Sequence, residues 1–228
     1  MTRQSFAVIG LGRFGSAMAR TLVEMGQDVV GIDANEGNVQ GMSETLQNVI
    51  RLDATDERAL RAAGIQDVDV AVISIGENIE ASLLVVMLVK ELGVPRIIAK
   101  AVTALHGRIL EKLGVERVIF PEREMGIRIA HSLVVPNVLD YIELSRDFSI
   151  IEMPAPAEFV GQSLKQLALR NRYGLTLIAI KRKTGTGDGE ITNVSPAAND
   201  VIEQGDVLSM LGSNERLSQL DRLLKGHE

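Results

Sequence analysis

Cysteine is absent from the 228 residues, which excludes disulfides, thiolate metal sites and cysteine nucleophiles. Long apolar runs are absent too. The longest candidate, residues 81–89, is bounded by Glu80 and by Lys90 and Glu91, short of the ~20 residues that span a membrane. No long basic run offsets the formal net charge of −6, so nucleic acid is a poor first partner. The opening MTRQSFAVIG has no signal-peptide pattern and runs straight into apolar residues. These absences predict a soluble, cytosolic protein that exercises any membrane role through a partner. His106, His131 and His227 have no H-x-x-x-H or other metal spacing and read as structural or surface groups. No Tyr-x-x-x-Lys pair occurs, and the two tyrosines, Tyr141 and Tyr173, lie late in the chain. Internal repeats and low-complexity tracts are missing as well.

What is present is an ordinary globular composition, 46% hydrophobic and 24% charged, on a chain long enough for one large or two small domains. Residues 6–33 organise it. A short apolar run over 6–9 predicts a buried strand. Gly10, Gly12 and Gly15 follow as G-x-G-x-x-G, enclosing Leu11, Arg13 and Phe14. A helical pattern with Ala17, Leu22 and Met25 stops at Gly26, and a second apolar run ends on Asp33. Gly10 permits the tight turn, Gly12 lets the backbone approach a phosphate, and Gly15 lets the helix pack on the sheet. The free N–H groups and dipole of the helix start favour an anion. Asp33 stands where a carboxylate accepts ribose hydroxyls, and it would repel a 2′-phosphate, so NADP is disfavoured. Arg13 puts a cation where the helix dipole opposes one, which points to an anion opposite it. A G-x-G-x-x-G alone is only a turn; the ordered strand, glycines, helix, strand and acid make a nucleotide site.

The next segments repeat the alternation. Helices are expected at about 35–45, at 56–63 with Thr55 as cap, at 79–92 capped by Asn78, and at 104–113. Strands are expected at 48–52, 68–75, 96–99 and 117–120. These strands are apolar runs rather than alternations, as in a parallel sheet covered on both faces. The expected fold class is α/β, a Rossmann-like doubly wound parallel sheet, with a second, smaller α+β domain. Binding should fall outside the carboxyl strand ends, which carry Gly10 to Gly15, Asp33, Asp53, Ala54, Thr55, Ile75, Gly76, Lys100 and Glu122. A helix over 122–135 has more apolar residues (Met125, Ile127, Ile129, Leu133) than one sheet face needs, and is expected to pack on a second subunit. We expect residues 1–135 as the nucleotide-binding domain, 136–146 as a linker and 147–228 as the second domain. In the latter, Ser163 should cap a helix over 164–170, and 184–189 (T-G-T-G-D-G) should be a hairpin tip.

The sequence resembles one family in particular. FAVIGLGRFG at the start, D-A-T after the third strand, V-I-F-P-E-R-E-M-G-I-R-I-A after the sixth, G-x-S-L-x-x-L and a late G-D-x-L are similar to the RCK (regulator of potassium conductance) family, as in the cytosolic regulatory subunits of Ktr-type potassium uptake systems. The likeness covers essentially the full length. It implies an N-terminal domain that binds ATP or ADP, or NAD(H) in some members, and a C-terminal domain of RCK type. It implies homo-dimers assembled into a homo-octameric ring under a membrane potassium-pore subunit, gated by ATP/ADP exchange. By that resemblance Gly10 to Gly15 wrap the phosphates, Arg13 reaches the terminal one and Asp33 holds the ribose. Asp53 and Thr55 lie near the adenine, and Ile75, Gly76 and Lys100 line the pocket. Glu122 helps hold Mg²⁺ or another cation beside the γ-phosphate across the dimer interface, consistent with the oxygen preference of hard cations. Related subunits bind cyclic di-AMP at the dimer interface of the C-terminal domain, where the matching surface is Leu169, Arg170, Asn171 and Pro196. Against a regulatory role stand a small NAD-dependent oxidoreductase and an NAD(H)-binding redox sensor. The first lacks an acid–base pair and the second a basic DNA-reading element.

Overall fold

The computed structural model describes residues 3–134, 138–183 and 189–225. The chain divides into two compact units, residues 1–121 and 122–228.

The first unit is built on six parallel strands: β1 (Ser5–Ile9), β2 (Asp28–Asp33), β3 (Asn48–Arg51), β4 (Val70–Ile73), β5 (Arg96–Lys100) and β6 (Arg117–Ile119), in the order β3-β2-β1-β4-β5-β6. Between them run α1 (Arg13–Glu24), α2 (Glu36–Gln40), α3 (Glu57–Ala62), α4 (Ile79–Glu91) and α5 (Ala104–Lys112). The apolar strand runs have a two-sided use. Ala7, Ile9, Ala71 and Ile73 pack with Leu60, Val85, Val86, Val89 and Leu110 in one core. Val8, Val70 and Val72 point the other way and pack with Leu11, Ala19, Met42 and Leu46. Each fully buried isoleucine, such as Ile9, Ile32 or Ile73, contributes about 1.5–3 kcal/mol by leaving water. The strand order reverses between β1 and β4, and a doubly wound sheet opens its binding crevice at such a point.

Two local expectations shift. The helix expected over 35–45 contracts to α2, capped by Asn35, whose Oδ1 accepts from the N–H groups of Gly37 and Asn38. Gly37 and Gly41 weaken helix propensity there, and turns complete the segment. The cap of α3 is Asp56, which accepts from Arg58 and Ala59, and not Thr55. Thr55 instead gives both its N–H and its hydroxyl to Asp53 Oδ1, at 2.9 and 2.7 Å.

The second unit holds α6 (Pro121–Val134) from Glu122 onward, and an antiparallel sheet of β7 (Asp140–Glu143), β8 (Phe148–Pro154), β9 (Thr176–Lys183), β10 (Glu190–Asn193) and β11 (Val207–Ser213), ordered β10-β9-β11-β8-β7. α6 from Glu122 onward therefore falls in this unit. Inside the stretch expected as a linker, β7 forms and pairs with β8. Tyr141 explains it, because its ring is buried with Ile151 and Leu208 in the core of this unit. The helix expected over 164–170 is two, α7 (Leu164–Leu167) and α8 (Leu169–Tyr173), and α9 (Asn214–Lys225) closes the described chain. Ser163 does cap α7, with Gln166 completing a capping box. Ala168 breaks the run with φ 45°. A left-handed alanine costs about 1–2 kcal/mol, offset here because Leu167 and Leu169 both reach the core. Of the expected hairpin tip, residues 184–188 lie outside the described residues; β9 and β10 flank it in antiparallel register. His227 lies outside them too.

A half-buried ion pair pins the end of this fold. Asp206 is fully buried and takes two hydrogen bonds from the Arg182 guanidinium, at 2.7 and 2.8 Å, and one from the Glu203 N–H at 2.8 Å. Among the described residues no helix is long and apolar enough to cross a membrane.

Candidate nucleotide site

The parallel sheet delivers Gly10, Asp33, Ile75 and Lys100 to its carboxyl edge because each sits at or just past a strand end. Gly10 turns out of β1 with φ +96°, a region L side chains avoid. A Cβ on Gly15 would lie 1.9 Å from the Gly10 carbonyl oxygen, so only glycine lets α1 come this close. Gly12 is different. A Cβ there would meet nothing within 4 Å, and its backbone conformation suits any residue. Nothing in the chain requires glycine at 12; open space over the loop is what it supplies.

The start of α1 is equally unfilled. Gly12 is its N-cap and gives no side-chain hydrogen bond, and no acidic residue stands in the first turn. By contrast Asn35, Asp56, Asn78 and Thr103 each satisfy N–H groups at the starts of α2 to α5. The donors of α1 and its dipole thus face the sheet edge without an acceptor side chain. Arg13 opens the helix and is exposed. Phe14 is half-buried, while the Leu11 side chain is committed to the core, so Leu11 can serve the site only through its backbone.

Asp33 is half-buried and holds three donors. Its Oδ2 accepts from the Leu11 N–H at 2.7 Å and from the Asn38 carboxamide at 2.9 Å; its Oδ1 accepts from the Asn35 N–H at 2.8 Å. A carboxylate has about four acceptor directions, so Oδ1 retains one for a ligand hydroxyl. Asp53 is exposed, and its two bonds from Thr55, the hydroxyl first, hold its carboxyl below the ordinary range. Ala54 is buried at 8% exposure, so it shapes the edge by packing. Lys100 lies over Gly76: a Cβ on Gly76 would stand 3.3 Å from its Nζ. This edge therefore brings together the glycine loop, Asp33, the Asp53–Thr55 turn and the Gly76–Lys100 pair. Glu122 is apart from them in assignment. It stands exposed in the first turn of α6, as the first residue of the second unit. No group of three or more His, Asp or Glu among the described residues is placed to hold a metal.

Two residues of this edge carried weaker sequence signals. Ser74, the hydroxyl that interrupts the apolar run after β4, donates to the Gly10 carbonyl at 2.5 Å. Asn38 reaches Asp33 from α2, a contact no spacing motif announces. In the second unit Leu169, Arg170 and Asn171 line one pocket of about 230 Å³, together with Leu164 and Thr176; Pro196 is not among its lining residues.

Comparison with known proteins finds one family model within each unit. The TrkA-N domain model matches residues 6–121 and the TrkA-C domain model residues 148–225. The Ktr system potassium uptake protein C of Bacillus subtilis (strain 168) is 40% identical over 220 residues, which are 96% of this chain and 97% of that protein. Among solved structures, the GsuK channel bound to NAD superposes with a TM-score of 0.63 at 19% identity, over 98% of this chain and 40% of that one, a likeness of fold. The Shewanella denitrificans Kef CTD in AMP-bound form superposes with a TM-score of 0.50 at 26% identity, over 58% of this chain and 82% of that one.

Proposed function

The chain belongs to the family that joins a TrkA-N to a TrkA-C domain, and from that premise we propose that it is the nucleotide-sensing regulatory subunit of a potassium uptake system. Its role is regulatory and not enzymatic. ATP and ADP bind at the carboxyl edge of the parallel sheet, and their exchange controls a membrane potassium-pore partner from the cytoplasmic side. The observation that carries this reading is the uncapped start of α1 beneath the open Gly12, with Asp33 keeping an acceptor direction beside it. Phosphates fit the first and a ribose hydroxyl the second. The AMP-bound relative in fold supports an adenine nucleotide, and the Ktr relative supports the transport role. NAD(H) is the competing ligand.

The finer parts of the reading are carried over, residue by residue, from the family resemblance. Gly10, Leu11, Gly12, Phe14 and Gly15 form the phosphate loop, with Arg13 on the terminal phosphate. Asp53, Ala54 and Thr55 flank the base, and Ile75, Gly76 and Lys100 close the pocket. Across the dimer interface, Glu122 supplies one carboxylate to a cation, which takes its remaining ligands from phosphate oxygens and water. The whole of α6 from Glu122 to Ala130 is exposed, with Met125, Ile127, Ile129 and Leu133 at 42–79%. Met125, Ile129 and Leu133 fall on one stripe at i, i+4 and i+8, with Ile127 on the opposite side; such exposed apolar surface is covered by a second copy, and further copies close a ring, an octamer by family analogy. Cyclic di-AMP is assigned by the resemblance to the dimer interface of the C-terminal domains, on Leu169, Arg170, Asn171 and Pro196, the first three of which line the second-unit pocket.

Calorimetric titration with ATP, ADP, NAD and NADH tests the ligand. Tight binding of ATP and ADP is expected; substrate-dependent NADH production by the pure protein would overturn the regulatory reading. Light scattering tests assembly, and a stable monomer would sink the ring. Ile127→Asp or Ile129→Asp is expected to break the oligomer. Glu122→Gln should keep it and blunt the ATP-against-ADP difference in pore activation.

A further inference from the structure

Four hydrogen bonds fix the chain where it leaves β1. On the β2 side, the Gly10 N–H donates to the Ile32 carbonyl at 2.7 Å and the Leu11 N–H donates to Asp33 Oδ2 at 2.7 Å. On the β4 side, the Ser74 N–H donates to the Ile9 carbonyl at 2.8 Å and the Ser74 hydroxyl donates to the Gly10 carbonyl at 2.5 Å. Two of these bonds act on one peptide. The Gly10 carbonyl and the Leu11 N–H belong to the same planar unit and point in opposite directions. Ser74 holds one side of that plane and Asp33 holds the other.

We propose that Ser74 is a positioning residue for nucleotide binding, acting through the Gly10–Leu11 peptide on the Asp33 carboxylate. This rests on the nucleotide reading of the carboxyl edge. Gly10 has a positive φ and no Cβ, so rotation of this peptide has little steric opposition from its own residue. Rotation would break both bonds and turn the carbonyl oxygen toward the Asp33 carboxylate. The Ser74 hydroxyl opposes that rotation. It is also packed in place: Ser74 is 9% exposed, and a Cβ on Gly10 or on Gly15 would come within 3.1 or 2.5 Å of its Oγ. Its hydroxyl therefore has one partner and one direction. The peptide held this way presents the loop toward the start of α1 and fixes Oδ2, leaving Oδ1 to accept the sugar.

A double-mutant cycle on ADP affinity tests the proposal, read by calorimetry on the full-length protein. Ser74→Ala removes the hydroxyl and should weaken ADP about fivefold, the scale of one lost hydrogen bond. In an Asp33→Ala background the same change should cost less than about twofold, because the group that Ser74 positions is gone. Ser74→Cys keeps the volume with a weaker donor and should fall between serine and alanine; it also serves if Ser74→Ala does not fold. Unchanged affinity in Ser74→Ala, or an equal loss in both backgrounds, would overturn the proposal. Failure of the unmutated protein to bind any adenine nucleotide would overturn the nucleotide reading itself, and this role with it.

Discussion

Asp33 and Asp206 each accept three hydrogen bonds, one in each unit, yet they do opposite things. Asp33 is half-buried at an open edge, and its three donors are two backbone N–H groups and a carboxamide. Asp206 is fully buried, and two of its three bonds come from a guanidinium. Burial pushes the Asp206 carboxyl up, but Arg182 and the Glu203 N–H outweigh it and hold it below the ordinary carboxylate range. A charge matched by a cation and sealed from water is a fastening. A charge met only by neutral donors, with an acceptor direction facing solvent, remains available to a ligand. Equal hydrogen-bond counts thus conceal a carboxylate matched by a cation and one that we propose for binding, and burial with the partner's charge separates them.

Removing the cation from the second unit breaks the comparison most. Arg182→Met leaves Asp206 buried without its counter-charge, and we expect a loss of about 3 kcal/mol in denaturant unfolding. ADP affinity should be unchanged. The pH dependence has a defined sign. The folded pKa of Asp206 is depressed, so its contribution is present above the unfolded value near ~3.9 and is lost as pH falls through the folded one. Arg182→Met should flatten that acid limb in pH-dependent unfolding.

Asp33→Ala reverses the comparison. Folding stability should change less than in Arg182→Met, while ATP and ADP each weaken by about 1.5–3 kcal/mol, the scale of hydrogen bonds to a charged group. Calorimetry giving native affinity would remove Asp33 from the site. The smallest effect sharpens the electrostatics of the open edge. Arg13→Ala should weaken ATP more than ADP, by a factor of a few, because Arg13 is exposed and an exposed cation is partly screened. Equal losses for both nucleotides would move Arg13 from the terminal phosphate to an inner one.

Much of the first unit is legible in the chain. Its strands are continuous apolar runs, and the helices after α1 carry side-chain caps, so alternation alone gives a parallel sheet, though not the place where its strand order reverses. The second unit was harder to read. β7 depends on the burial of Tyr141 against distant residues, and the break at Ala168 depends on two leucines reaching one core. Neither leaves a local pattern, because nothing in alanine's propensity announces a left-handed residue.

The sequence by itself determined the glycine loop, the acid at the end of β2 and the alternation of strands with helices, since each follows from local sterics and hydrophobic period. Tertiary structure decided which groups those residues meet. Ser74 is 64 positions from Gly10, yet parallel pairing of β1 with β4 puts its hydroxyl 2.5 Å from that carbonyl. Packing beside Gly31 of β2 and Leu46 makes Leu11 a core residue that leaves only its backbone for a ligand. Open space over Gly12 was likewise fixed only when the sheet brought its strand ends together, because emptiness belongs to the arrangement of neighbours and not to any residue.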